Sequence, residues 1–475
     1  MAKKAMLGHK LRRLRADRGL TQAALAERLA ISASYLNLIE RNQRPVTVDL
    51  LLKLGRLFDI DIQAFAEDDA ARLSAELGEV FGDRLFEGED IRRQDLIDFA
   101  EASPTAAEAV VRLYRAYREA QEARTAAPDG TEHGGAAAAL DAVRDVLQAA
   151  GNHFPALEDV ASSLAAEAGL GERASMPVLA AHLDQSYGTR VRIMPTEVMG
   201  GIHRRYDPHG RRILLNEMLP APSRLFQTLA QFALIHQRGL IDRLVGEMRL
   251  AGEAAEAARL ALAHYFAGAA MMPYDAFHRA ATAVRYDLGI LARRFDASHE
   301  QVCHRLTTLG RHGARGVPFF LLKVDVAGNV AKQLSAGGVQ FARFGGACPR
   351  WIVHDVFRTP GQLRAQVAET PDGARFLGLA RTVDKPGLGH GAPGKTFGLL
   401  IGCDAAHAAQ LVYADGLNPA ADEAATPIGL HCRVCERLNC ADRAYPPAKH
   451  RLVIDPHQRG AKAVEFVGLG GGAPA

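Results

Sequence analysis

Within the first sixty positions, apolar residues recur at helical spacing in short blocks separated by capping residues. This pattern constrains the start of the chain more tightly than anything after it. Leu7, Leu11 and Leu14 form one stripe, with steps that fall on a single helix face. Gly19 is placed to stop that helix. Thr21 stands at an N-cap position before a short helix with Leu25 and Leu29 inward. Ala30-Ile31 supplies a tight turn, and Ser32 caps a helix over 33–41 with Leu36 and Ile39 inward. Pro45 ends the next loop, and Thr47 caps a fourth helix carrying Leu51, Leu54 and Leu57. Two short helices joined by such a turn set the second into a DNA major groove. A purely structural helical hairpin is the alternative.

Charge points the same way. Residues 1–60 hold 12 Lys or Arg against 5 Asp or Glu, although the whole chain is only +3, so the body beyond is mildly acidic. A basic head on an acidic body fits a nucleic-acid-binding head, while a solvated basic helix would carry the same charge. The stretch Leu20-Thr21-Gln22-Ala23-Ala24-Leu25-Ala26 through Ser34-Tyr35-Leu36-Asn37-Leu38-Ile39-Glu40-Arg41 resembles the lambda-repressor/Cro-type helix-turn-helix of the XRE family, over roughly residues 7–62. The resemblance implies that Gln22 contacts phosphate at the start of its helix. It implies that Ala33, Ser34, Asn37 and Leu38 face the bases, and that Arg41, Asn42 and Arg44 serve phosphates. The amides at the end capped by Ser32 would add backbone contacts. One such module makes few contacts, so a homodimer or higher homo-oligomer on a pseudo-palindromic operator in double-stranded DNA is expected.

A chain of 475 residues needs more than one core. The expected fold class is multidomain, mostly α plus α+β. An all-α lambda-repressor-like head would occupy 1–66 and a helical connector 67–149. A zincin-like α+β domain would follow at 150–312, then a C-terminal α+β domain at 317–460 and a disordered tail at 461–475. In the connector, Leu73, Leu77, Leu85, Leu96 and Phe99 either help dimerisation or form a bridging layer. Ala126-Ala127-Pro128-Asp129-Gly130 opens a linker. No apolar run reaches the length of about 18 residues needed to span a membrane. The start, Met1-Ala2-Lys3-Lys4-Ala5, lacks the apolar core of a signal peptide. Six cysteines at this length are not a secreted scaffold, so a cytoplasmic location with reduced thiols is expected.

In the middle, Val191-Arg192-Ile193 reads as a strand, and 201–206 with 211–216 as a hairpin around Asp207-Pro208-His209-Gly210. A helix follows over 223–237. The hairpin, Phe226-Gln227-Thr228-Leu229-Ala230 and Ala263-His264-Tyr265-Phe266-Ala267 with Met271-Met272-Pro273 resemble the ImmA/IrrE-type metallopeptidase domain. Active members carry H-E-x-x-H, two histidines on one helix face that bind zinc with a glutamate to activate water. Here those positions read Gln231-Phe232-Ala233-Leu234-Ile235, and Leu262 stands near the third ligand's place. The resemblance thus implies the fold without the peptidase chemistry. No catalytic residue is expected, and His236 is expected to serve packing or to lie at the surface.

The C-terminal region opens with a hairpin signal, 319–326 and 330–334 around Ala327-Gly328-Asn329. Further strands are expected at 339–344 and 396–401, with helical stretches between. Its chemistry lies in His431-Cys432-Arg433-Val434-Cys435-Glu436-Arg437-Leu438-Asn439-Cys440, a C-x2-C-x4-C cluster able to aim thiolates at a metal. Cys403 is the preferred fourth ligand, with His431 or His407 behind it. Zinc, an iron–sulfur cluster, a buried thiol cluster and a redox C-x-x-C pair all remain open. Cys303 and Cys348 are expected to be isolated buried thiols.

Val324-Asp325-Val326-Ala327-Gly328-Asn329, Phe344-Gly345-Gly346-Ala347-Cys348-Pro349-Arg350-Trp351 and the segment from Cys432 to Pro447 resemble the C-terminal domain of short-chain fatty acyl-CoA regulators. That family joins an XRE head, an ImmA/IrrE-like middle and this tail in the same order. The resemblance implies a sequence-specific regulator of short-chain acyl-CoA metabolism, in the propionyl-CoA, methylcitrate or glyoxylate branches, with an acyl-CoA as effector. Arg204, Arg205, Arg343 and Arg350 are possible phosphate holders, with none singled out. A redox- or metal-sensing transcription factor using the cysteines, and a DNA-binding metallopeptidase, are the competing functions.

Overall fold

The computed structural model describes residues 8–18, 20–40, 43–44, 46–58, 69–86, 89, 91–126, 135–170, 175–336, 348–385, 387, 391–419, 421, 424–429, 432, 435, 437, 439–443, 450–453 and 465–468. The chain divides into two compact units, Met1–Leu73 and Ser74–Ala475.

The first unit carries α1 (Gly8–Asp17), α2 (Gln22–Leu29), α3 (Ala33–Glu40) and α4 (Val48–Phe58). The expected caps are made. The Thr21 hydroxyl accepts from the Ala24 amide at 3.2 Å, Ser32 from Tyr35 at 3.1 Å and Thr47 from Leu50 at 3.3 Å. Ala30, in the left-handed region at φ 55°, closes α2. That geometry costs a non-glycine residue about 1 kcal/mol, so the turn is held by the packing around it. The core is Leu11, Leu25, Leu29, Leu36, Ile39, Leu50, Leu54 and Phe58. α4 therefore turns its Leu50–Leu54–Phe58 face inward, whereas Leu57, expected inside, is 37% exposed. Leu7 and Arg41 lie outside the described residues.

The connector is formed by α5 (Asp69–Phe81), which begins in the first unit and continues into the second, and by α6 (Arg93–Ala102), α7 (Pro104–Ala126) and α8 (Gly135–Ala149) of the second. Leu77 and Leu96 are buried, whereas Leu85 is 56% exposed. Then come α9 (Pro155–Glu167), α10 (Met176–Tyr187), β1 (Arg190–Met194), α11 (Thr196–Met199), β2 (Arg204–Asp207) and β3 (Arg212–Asn216). β3 is the middle strand of its sheet, parallel to β1 and antiparallel to β2. The helices α12 (Ala221–His236), α13 (Arg238–Glu247), α14 (Gly252–Met271), α15 (Tyr274–Ala283), α16 (Leu288–Arg294) and α17 (His299–Leu306) complete the layer. Small residues on α14, including Ala258, Ala263, Ala267 and Ala270, are fully buried and let neighbouring helices approach closely.

The C-terminal sheet comprises β4 (Phe320–Val324), β5 (Val330–Ser335), β6 (Arg364–Glu369), β7 (Arg375–Lys385), β8 (Lys395–Asp404) and β9 (Ala425–Pro427), in the order β5-β4-β8-β7-β6-β9. β6 and β7 occupy a stretch expected to be helical. The strand candidate at 339–344 lies outside the described residues. Leu321, Leu377, Leu379, Leu399, Ile401 and Cys403 face the helical layer and merge with its core. Phe320, Leu322, Ala380 and Leu400 face the opposite way, onto Cys348, Trp351 and the short α18 (Ile352–Asp355). Gly398 lets α18 sit close, because a Cβ there would lie 2.7 Å from the Val353 carbonyl oxygen. β10 (His450–Val453) pairs with β11 (Glu465–Gly468). Regular backbone thus extends into 461–475, where a disordered tail is expected from the sequence. No described helix is long and apolar enough to cross a membrane.

Candidate nucleic-acid interface and cysteine pocket

α3 follows directly from the Ser32 cap, so its first turn projects free of the head's core. Ser32, Ala33 and Ser34 are exposed there, and Asn37 is half-buried one turn on. Arg44, in the loop after α3, is exposed. Gln22 is engaged within the head. Its amide donates to Glu40 at 2.8 Å and, more weakly, to Asn37 at 3.4 Å. Glu40 also takes two bonds from Arg15, Nε to Oε1 at 2.6 Å and the terminal nitrogen to Oε2 at 3.1 Å. Gln22, Glu40 and Arg15 therefore lock α1, α2 and α3 together behind the exposed face. Glu40 and Arg15 carry no apolar or capping signal, so periodicity does not mark them.

In the helical layer, the positions corresponding to H-E-x-x-H hold no ligands. Phe232, where a catalytic glutamate would stand, is fully buried and stacks on Phe266 with ring centroids 6.0 Å apart. Leu262 is fully buried as well. His236 shares a 3.0 Å hydrogen bond with the Thr189 hydroxyl and lies against Tyr187 and Phe232. Burial and the nearby Arg211 charge push its imidazole below the ordinary value. It serves packing.

The three clustered cysteines meet a fourth, and it is not Cys403. One pocket is lined by Cys348, Cys432, Cys435 and Cys440, with Ile428, Arg437 and Arg443 among its other walls. Cys403 sits on β8 opposite Leu377, in the core on the other face of the sheet. There burial pushes its thiol up to about 12, which makes it a poor thiolate donor. Cys348 lies beyond α18's side of the sheet, with Ile428 and Trp351 in the same cluster. It was expected to be isolated, because only the folded sheet brings it to the C-x2-C turn. Burial also raises the Cys348 thiol, and neighbouring Cys432 and Cys440 add to that rise.

Two arginines hold the cysteine loop. Arg443 donates to the carbonyls of Cys432 at 2.7 Å, Cys435 at 2.9 Å and Arg437 at 2.6 Å. Arg437 donates to the carbonyls of Ile428 at 3.1 Å, Glu369 at 2.9 Å and Thr370 at 3.0 Å. Trp351 fixes the near wall through a 3.2 Å bond from its indole N–H to Gly429. Among the described residues, no three His, Cys, Asp or Glu side chains are grouped to hold a single ion. His431 lies outside the described residues, and His407 sits on the far side with Gln410, 3.2 Å away.

Of the four arginines considered for phosphates, Arg204 donates to the Gln227 carbonyl and side chain at 3.2 and 3.0 Å. Arg205 is exposed. Arg350 pairs with Asp442 at 3.4 Å. Arg343 lies outside the described residues.

Comparison with known proteins covers nearly all of the chain. Residues 308–464 match the short-chain fatty acyl coenzyme A regulator C-terminal family, 184–307 the IrrE N-terminal-like domain, and 6–67 a helix-turn-helix domain. The propionyl-CoA carboxylase regulator of Cereibacter sphaeroides is 40% identical, over 98% of this chain and 100% of its own. The HTH-type transcriptional regulator RamB of Mycobacterium tuberculosis is 39% identical, over 96% of this chain and 97% of its own. PrpR, an HTH-type transcriptional regulator of the same organism, is 39% identical over 94% and 93%. A solved Mycobacterium tuberculosis transcriptional regulator shares the fold at a TM-score of 0.64 and 37% identity, covering 68% of this chain and 99% of that one.

Proposed function

The chain belongs to the short-chain fatty acyl coenzyme A regulator family of helix-turn-helix transcriptional regulators, and from that premise we propose that a short-chain acyl-CoA bound in its body governs how its head binds DNA. One observation carries this reading. The head keeps a capped, exposed α3, whereas the peptidase-like body has Phe232 and Leu262 buried where catalysis would need ligands. A body without that chemistry, fused to an intact DNA reader, is suited to sensing. Propionyl-CoA and acetyl-CoA are the effectors to test first, given the name of the Cereibacter sphaeroides relative. An effector that binds one conformation of the body better than another shifts operator affinity by the same coupling free energy. Two heads on a pseudo-palindrome supply the contacts one lacks. The test is operator affinity with and without each acyl-CoA at fixed salt. Unchanged affinity with both removes this effector class.

The cysteine pocket favours a second, compatible function. Four cysteines line one pocket, an all-sulfur set of the kind that holds an iron–sulfur cluster, with zinc as the alternative occupant. Cys348, Cys432, Cys435 and Cys440 would hold it, and the Arg443 charge would offset their thiolates. When bound, such a group supplies one-electron redox chemistry. Visible absorbance of anaerobically purified protein, with iron and sulfide analysis, tests this. A colourless protein carrying one zinc per chain would reverse it.

A further inference from the structure

One transverse row of the C-terminal sheet carries an unusual set of side chains. Lys332 on β5 stands directly opposite Lys323 on β4, Lys323 opposite Leu399 on β8, and Leu399 opposite Arg381 on β7. Residues opposed in register share a face, so Lys332, Lys323 and Arg381 all point toward the helical layer. Lys385, four residues along β7, points the same way and comes within 3.7 Å of Glu300. Like charges opposed across neighbouring strands destabilise a sheet, and here, among the described residues, the carboxylate paired with Lys323 and Lys385 is Glu300 of α17. Glu300 takes a 2.7 Å bond from Lys323, whose ammonium also lies 4.2 Å from the centre of the Phe397 ring.

The helical layer adds more positive charge to this seam. Arg204 enters from β2, and its field reaches His264 of α14, as do those of Lys332 and Lys385. Burial first, and then these cations, push His264 down to about 4. Burial and Arg381 do the same to His299. Lys332 is exposed, at the solvent end of this row. Two buried polar atoms, Arg381 Nε and His304 Nε2, have no hydrogen-bond partner among the described residues. Such atoms cost free energy unless something completes them. A row of cations with Glu300 as its counter-charge among the described residues, beside two buried nitrogens without a described partner, is suited to an anion.

We propose that this seam, formed by Lys323, Lys332, Lys385, Arg381 and Arg204 between the sheet and α17, seats the phosphate groups of the effector. The inference rests on the acyl-CoA reading for the ligand's identity, though not for its anionic class. A phosphate-bearing ligand here bridges the sheet to α14 and α17, so its arrival is felt by the whole body.

The experiment is isothermal calorimetry on the full chain with propionyl-CoA, acetyl-CoA and inorganic tripolyphosphate. It compares the wild type with K332Q/K385Q and with R358Q, an arginine 84% exposed outside the seam. Expected is acyl-CoA binding that weakens by at least about tenfold in K332Q/K385Q and stays unchanged in R358Q. The unliganded double variant should melt no lower than wild type, since opposed like charges have been relieved. If it melts lower, exposed K332Q alone carries the comparison. Equal acyl-CoA binding by wild type and the lysine variants overturns this site and leaves the effector reading standing. Lysine-dependent binding of tripolyphosphate without acyl-CoA binding keeps the site and overturns the effector reading. Binding of none of the three overturns both.

Discussion

Arg305 of α17 and Glu158 of α9 form a two-pronged ion pair, 2.6 and 2.8 Å long, with side chains only 2% and 1% exposed. The Tyr265 hydroxyl donates to the same carboxylate at 2.6 Å, and Arg305 Nε donates to the Met272 carbonyl at 2.9 Å. The pair ties α9, α14 and α17 at the centre of the body. Removing one partner strands a buried charge, which costs about 3–5 kcal/mol. Glu158→Met should therefore lower the body's denaturation midpoint sharply. Pairing it with Arg305→Met should recover much of the loss, and a double variant no more stable than the single one would refute the charge argument.

The same pair sets an acid limit. Burial alone would raise the Glu158 carboxyl, but the Arg305 charge and the bonds from Arg305 and Tyr265 outweigh it and hold it below its ordinary value. A carboxylate depressed on folding contributes stability above its unfolded value of about 4.3, and that stability is lost as pH falls through the folded value. Wild-type unfolding free energy should thus decline with acid below about pH 5. The Glu158→Gln curve should be flatter there, as followed by circular dichroism.

In the head, Arg15 and Glu40 tie α1 to α3. Glu40 is buried at 7% exposure, while the Arg15 side chain keeps 18%, so solvent moderates the cost of breaking them. Glu40→Ala should destabilise the head by about 1–3 kcal/mol and free Gln22 and Arg15 from their shared partner. Operator binding should weaken with it, measurable by fluorescence anisotropy alongside thermal melting. A variant with native melting and native binding would show the lock to be idle.

Base and phosphate contacts separate by salt. Arg44→Ala should weaken binding to every sequence and reduce the slope of log K against log salt by about 0.9. Asn37→Ala should leave that slope alone and relax preference at one base position, costing about 1–3 kcal/mol there. Equal losses on specific and random DNA for Asn37→Ala would move base reading elsewhere on α3.

What the sequence made legible follows the range of the interactions. The caps at Thr21, Ser32 and Thr47 are local, and their helices form as the spacing predicts. Leu57 was misplaced because α4 carries Leu50, Leu51, Leu52, Leu54 and Leu57, and apolar count alone does not choose the face. β7 was missed for a different reason. Phe376, Leu377, Leu379 and Ala380 are buried on both sides of a central strand, so no polar alternation marks it. The turn Pro371-Asp372-Gly373 was the available signal. The cationic seam was invisible, because register alone sets Lys323 against Lys332.

The cysteines give the sharpest test of long-range placement. Cys403 and Cys348 are both buried, but β8 turns Cys403 into the core shared with the helical layer, while Cys348 lines the pocket with Cys432, Cys435 and Cys440. Removing a true ligand should abolish the visible absorbance and iron content of anaerobically prepared protein. Removing a buried core thiol should cost only packing. Cys348→Ser should therefore bleach the protein and loosen the loop held by Arg443, read as increased amide exchange over 428–443. Cys403→Ser should keep colour and iron and melt modestly lower, because a hydroxyl replaces a thiol in apolar surroundings. The reverse outcome, colour lost with Cys403 and kept without Cys348, would return the fourth ligand to the position first expected from the sequence.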